Sequence, residues 1–164
     1  MTQSIENTIL NSIKKRGRGT VFFSSDYSKV GEKSAVLKAL ERMAAGGTIV
    51  RVARGIYCYP KIDKELGFGT LYPTYEEIAQ AIAKRDKARI VPAGIYAMNR
   101  LGLSTQVPMN VVYLTDGSSR KVAINGNKGI QFKHVAPKNL AFQNQLALLI
   151  NSALKEIGQD NITE

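Results

Sequence analysis

Between Glu32 and Pro60 the hydrophobic period of the chain changes once, at Gly46-Gly47. Before the glycines, the run EKSAVLKALERMAA puts Val36, Leu37, Leu40, Met43 and Ala44 on one helical stripe, with Lys33, Ser34, Lys38, Glu41 and Arg42 facing away. The glycine pair ends the helix. After it, TIVRVARGIYCYP offers two β-rich runs, Thr48 to Val52 and Ile56 to Tyr59, around a turn at Ala53-Arg54-Gly55, so a β-hairpin with an arginine at its tip is expected. A helix with one face to bury, stopped by glycine and followed at once by a short hairpin, restricts this part of the chain to a small α+β unit.

The preceding residues complete that unit. Ser4 to Lys15 sets Ile5, Ile9, Leu10 and Ile13 at helical spacing, and Lys14-Lys15-Arg16-Gly17-Arg18-Gly19 closes the helix with glycine. Cations in a last turn also oppose the negative end of the helix dipole, so that run alone carries little functional information. Thr20 to Phe23 is β-prone, Ser24-Ser25-Asp26 supplies caps for a short helix through Val30, and Gly31 breaks it. Helix, short helix, glycine turn, longer helix with a basic outer face and basic-tipped hairpin is the order of a winged helix-turn-helix. In that arrangement the longer helix enters the major groove and its neighbours cross the phosphates.

Charge agrees with this placement. The 164 residues carry 23 Lys plus Arg against 13 Asp plus Glu, a formal +10. The part through Pro60 has ten basic and four acidic residues, which is +6 of that total. A basic excess of this size favours polyanionic partners. Lys33, Ser34, Lys38 and Arg42 are the expected contacts of the reading helix, Arg16, Arg18 and Ser25 the expected phosphate contacts, and Arg51 and Arg54 the expected wing contacts. One Cys and one His exclude a disulfide within the chain and a multi-ligand Cys/His zinc site, and point to a reducing compartment. The start MTQSIENTIL lacks the basic and apolar regions of a secretory signal, and no run approaches the length of a membrane span, so a cytoplasmic location with no membrane partner is expected.

The runs Ala35 to Arg42, Gly47 to Arg51, and Arg54-Gly55-Ile56-Tyr57 with Pro60 together resemble the N-terminal winged helix of the AbiEi family, antitoxins of type IV toxin–antitoxin systems. Val91-Pro92 followed by Ala97 to Gly102 is similar to a shorter branch grouped with them. The resemblance implies a regulator that binds double-stranded operator DNA of its own operon and represses it. It also implies a C-terminal unit that counters a nucleotidyltransferase-like toxin without a stable complex.

Beyond Pro60, residues 61–70 read as a connector, and residues 71–158 as an α/β domain serving as antitoxin or partner-binding unit. Thr74-Tyr75-Glu76-Glu77 is a capping box opening a helix through Arg85. Pro92 suits the first turn of a further helix through Arg100. Three β-type runs, Asn110 to Thr115, Arg120 to Asn125 and Gly129 to Val135, are joined by Asp116-Gly117 and Asn125-Gly126 and predict an antiparallel three-strand meander. A final helix is expected over about Phe142 to Ile157, with a polar tail after Gly158.

Other features have plain structural explanations. Gly126-Asn127-Lys128-Gly129 outlines a GxxG phosphate clamp, but lies between two strands and reads as a hairpin loop. His134, with no adjacent carboxylate or Cys, reads as structural or surface, and Cys58 as a small buried hydrophobe. Tyr57, Tyr59, Tyr72 and Tyr75 offer a stacking platform for single strands or packing at the join of the two units. No catalytic constellation appears, so neither an enzyme nor a cofactor or metal is expected. The alternative function is a protein- or RNA-interaction module in which the winged unit is only a scaffold. The sequence leaves the oligomeric state, the operator and the toxin open.

Overall fold

The structure, a computed structural model, describes residues 4–141 and 144–158. It is a mixed α+β protein whose described residues form five α-helices and three small sheets. Two compact units divide it, Met1–Ile78 and Ala79–Glu164.

In the first unit, α1 (Ile5–Arg16) begins where the Ser4 hydroxyl accepts from the Asn7 N–H and ends at Gly17, whose φ of 88° only glycine adopts without strain. The chain then forms β1 (Val21–Phe23), a 3-10 turn (Ser24–Tyr27), α2 (Lys33–Ala45), β2 (Val50–Ala53) and β3 (Ile56–Cys58). β3 is the central strand of an antiparallel sheet ordered β1-β3-β2. The short helix expected through Val30 is confined to the 3-10 turn. On α2 the buried positions are Val36, Ala39, Leu40 and Met43, while Leu37 is half-buried, so the apolar stripe is centred slightly differently from the expected one. These side chains meet Ile9 and Ile13 of α1 and Phe22 and Tyr57 of the sheet in one core. Phe22 and Tyr57 are register partners whose rings stack with centroids 5.9 Å apart.

Residues 61–70, expected to be a connector, hold most of an antiparallel ribbon, β4 (Lys61–Asp63) and β5 (Gly69–Leu71). The Asp63 carboxylate organises its turn by accepting from the N–H groups of Glu65, Leu66 and Phe68. Helix α3 (Tyr75–Asp86) opens with the expected capping box: the Glu77 N–H donates to the Thr74 hydroxyl, and the Thr74 N–H to the Glu77 carboxylate.

In the second unit a four-stranded sheet is ordered β6-β7-β9-β8, from β6 (Ile90–Pro92), β7 (Asn110–Thr115), β8 (Arg120–Asn125) and β9 (Lys128–His134). The meander expectation is therefore corrected: β7 pairs with β9 in parallel, and β8 lies outside β9. The chain reverses after Asp116-Gly117, but β7 and β8 do not pair, because β9 lies between them. The Asp116 carboxylate accepts from the Arg89 N–H, the Gly117 N–H donates to the Thr115 hydroxyl, and the dipeptide ties the end of β7 to the residue before β6. Burial explains the strand order. β7 buries Val111, Tyr113 and Thr115 and takes a partner on each edge, whereas β8 alternates half-buried and exposed residues, as suits an edge strand. The Asn125-Gly126 hairpin is present, with Gly126 at φ 59°.

Pro92 ends β6 rather than opening a helix, and α4 (Gly94–Arg100) starts after it. The final helix α5 (Gln145–Ile157) is capped by Asn144, whose side chain accepts from the Leu146 N–H. Phe142, the expected start of that helix, and the tail beyond Gly158 lie outside the described residues.

Candidate nucleic-acid interface

The outer face of α2 carries Lys33, Ser34, Lys38 and Arg42, all exposed, with the carboxylate of Glu41 among them. No side chain caps the start of this helix, and its first turn contains no acidic residue. Its N-cap is the exposed Glu32, whose carboxylate makes no capping bond, so the first backbone N–H groups of α2 have no side-chain acceptor from the cap.

Two neighbours are fixed beside this face. The 3-10 turn that exposes Ser25 packs against α2. The same turn is tied to the hairpin tip, because the Ser24 N–H donates to the Gly55 carbonyl at 3.0 Å. Gly55 has a φ of 72°, and the Cβ of any other residue there would sit 3.3 Å from the Ser24 hydroxyl. The glycine thus allows the β2–β3 turn to approach the end of β1 closely, with exposed Arg54 beside it. Arg51 is exposed on β2, opposite Tyr57. The 3-10 turn that carries Ser25 thus touches both α2 and the hairpin tip. The residues joining the 3-10 turn to α2 also expose Lys29, which spacing arguments did not single out.

Three of the expected cations have partners within the protein. Arg42 Nε lies 2.5 Å from Glu6 Oε1 of α1. Arg16 Nη1 lies 3.5 Å from Asp26 Oδ2, which also accepts from the Phe23 N–H. Arg18 donates to the Pro60 carbonyl at 2.9 Å and places its guanidinium 4.6 Å from the centre of the Tyr59 ring. These contacts brace the ends of the sheet and the two helices. No sequence signal pairs Glu6 with Arg42, since the partners lie on different elements.

Tyr57 and Tyr59 are buried in the first unit's core, so neither presents a ring face to a nucleobase, while Tyr72 is exposed. Cys58 is buried in β3, and burial together with the Glu77 carboxylate pushes its thiol up from 9.0 to about 11 against the opposing pull of Lys61. Gly126 and Asn127 form the β8–β9 turn, while Lys128 and Gly129 already pair in β9 with Asn125 and Ala123. His134 places Nδ1 2.7 Å from the Gly117 carbonyl, and its backbone N–H donates to the Ser119 hydroxyl. Nδ1 must therefore carry the proton in that contact, because a carbonyl only accepts. An open cleft of about 450 Å³ in the second unit is lined by Tyr96, Asn110, Lys133, Ser152, Lys155 and Glu156, among others. Among the described residues, no group of three or more His, Cys, Asp or Glu side chains is placed to hold a metal, and no helix is long and apolar enough to cross a membrane.

Fold and surface define a mixed α+β protein with an exposed basic helix face and an arginine-tipped hairpin, both in contact with one 3-10 turn. The chain belongs to the family described as a family of unknown function (DUF6088), which matches residues 8–164. No curated protein matches it.

Proposed function

We propose that the protein is a sequence-specific DNA-binding regulator, with its first unit acting as a winged helix-turn-helix and α2 as the reading helix. The observation that carries this reading is the α2 face: Lys33, Ser34 and Lys38 are exposed, and the 3-10 turn with exposed Ser25 packs against α2 and is bonded to the turn that carries Arg54. Lysines and backbone N–H groups there suit phosphates, and Ser34 suits a base edge or a phosphate. Arg51 and Arg54 extend the footprint along the backbone. By its resemblance to AbiEi proteins, the regulator represses its own operon and belongs to a type IV toxin–antitoxin module, with the second unit opposing a nucleotidyltransferase-like toxin. The test is binding of the full chain to the DNA upstream of its own gene, with and without Lys33→Ala plus Lys38→Ala. Binding at low salt that the double variant abolishes supports the reading; no binding, or binding indifferent to the variant, rejects it.

The internal partners of Arg16, Arg18 and Arg42 favour a second reading, in which the first unit is a scaffold and the protein acts through contacts to protein or RNA. Under that reading the double variant still protects cells from a toxic neighbouring gene product, although it binds no operator.

A further inference from the structure

The ribbon β4–β5 combines features that a solvated surface loop does not need. Its three residue pairs, Lys61–Leu71, Ile62–Thr70 and Asp63–Gly69, form a two-stranded sheet that no third strand joins among the described residues. An isolated hairpin of this size is marginally stable in water, because it has little apolar surface to bury. Yet Leu66 is 77% exposed, Phe68 71% and Tyr72 71%, and Ile62 and Leu71 are also exposed. The tip that displays Leu66 and Phe68 is an organised turn, since both residues donate their N–H groups to the Asp63 carboxylate. Those three bonds to Asp63, counting that from Glu65, hold its carboxyl below the ordinary carboxylate range. Apolar side chains displayed on an ordered ribbon with open backbone edges form a docking surface.

Charge selects the occupant. The chain carries +10, so two copies repel over most of their surface. Within 61–72, however, Lys61 and Lys64 are balanced by Asp63 and Glu65. A nucleic acid or an acidic protein would be drawn to the basic remainder, whereas a second copy of this chain meets no net repulsion here. A two-fold axis sets the same patch against itself, so the Lys64 of each copy faces a surface that carries a Glu65.

We propose that two copies of this protein associate through the β4–β5 ribbon, burying Leu66, Phe68 and Tyr72 against one another. The proposal stands whether or not the α2 face binds DNA. It is tested by sedimentation equilibrium of the full chain up to tens of micromolar, at low and at high salt. The expected result is a dimer that holds or tightens as salt rises, because salt screens the repulsion between two +10 chains while leaving apolar burial intact. Leu66→Ser with Phe68→Ser should weaken the dimer by about tenfold or more with unchanged circular dichroism, since both side chains are exposed in the single chain. Leu66→Lys should do the same by placing like charges face to face. A monomer throughout, a dimer indifferent to these variants, or a dimer that salt dissolves overturns the proposal.

Discussion

Arg42 Nε sits 2.5 Å from Glu6 Oε1, so the last turn of α2 is pinned to the first turn of α1 by a side chain that a DNA-binding α2 would also present to phosphate. The two side chains are 64% and 39% exposed, which places the pair in the range where an ion pair contributes about 0–1 kcal/mol. Arg42→Ala should therefore change the urea midpoint only slightly. If α2 is the DNA-binding helix, Glu6→Gln should raise affinity modestly at low salt, by releasing Arg42 and removing a neighbouring carboxylate. A gel-shift titration checks this, and weaker binding by Glu6→Gln would mean that the pinned arrangement is the binding one.

Lys33 and Lys38 have a different expected signature. If each neutralises one phosphate, Lys33→Ala plus Lys38→Ala should make the log–log salt dependence shallower by roughly 1.8, at about 0.9 per contact. Fluorescence anisotropy across a salt series measures the slope directly. A weaker complex with an unchanged slope would assign the two lysines to folding or to base reading rather than to phosphate.

Cys58 makes stability fall at alkaline pH. Its thiol titrates at about 11 in the folded chain against 9.0 ordinarily, so between those values the unfolded state has released a proton that the folded state keeps. The contribution is absent below about 9, grows unfavourable as pH rises from 9.0 toward about 11, and then levels off. Thermal melts of the wild type and Cys58→Ala across that range should diverge in slope above pH 9.0 while staying parallel below it. Parallel slopes throughout would rule out this thiol as the source.

Two glycines of one hairpin should respond differently to alanine. A Cβ at Gly129 would be driven into the backbone carbonyl of Val122 on the neighbouring strand, which cannot move aside without opening the β8–β9 ladder. Gly129→Ala should cost about 1–3 kcal/mol or disrupt the sheet. Gly126 has open space around it and only its φ of 59° to defend, so Gly126→Ala should cost about 1 kcal/mol. Denaturant midpoints rank the two, and the reverse order would contradict the strand register.

The elements readable from sequence were those whose causes are local. Ser4, Gly17, Gly46 and the Thr74–Glu77 box mark helix ends through bonds or dihedrals that close within a few residues. The β2–β3 and β8–β9 hairpins likewise follow from their own turns. The pairing of β7 with β9 was not readable, because Asp116-Gly117 has the composition of a reversal while its hydrogen bonds are made with Arg89 and Thr115. The ribbon at 61–71 was hidden for a similar reason: its run of charges, glycines and scattered apolar residues has no clear alternation, and Asp63 organises its turn through three backbone N–H groups. At the α2 face, periodicity identified the exposed residues, but not that Glu6, Asp26 and Pro60 would engage Arg42, Arg16 and Arg18.

The strand order of the second unit also constrains how that unit assembles. β8 and β9 are joined by a tight turn and can zip together on the microsecond scale of hairpins. β7 joins β9 only through pairs such as Asn110 with Gly129, which requires the whole intervening strand to have swung past first. The β8–β9 hairpin is therefore expected to form before β7 pairs with β9, and a destabilised turn at Gly126 should slow refolding of the whole sheet, which stopped-flow refolding of Gly126→Ala checks.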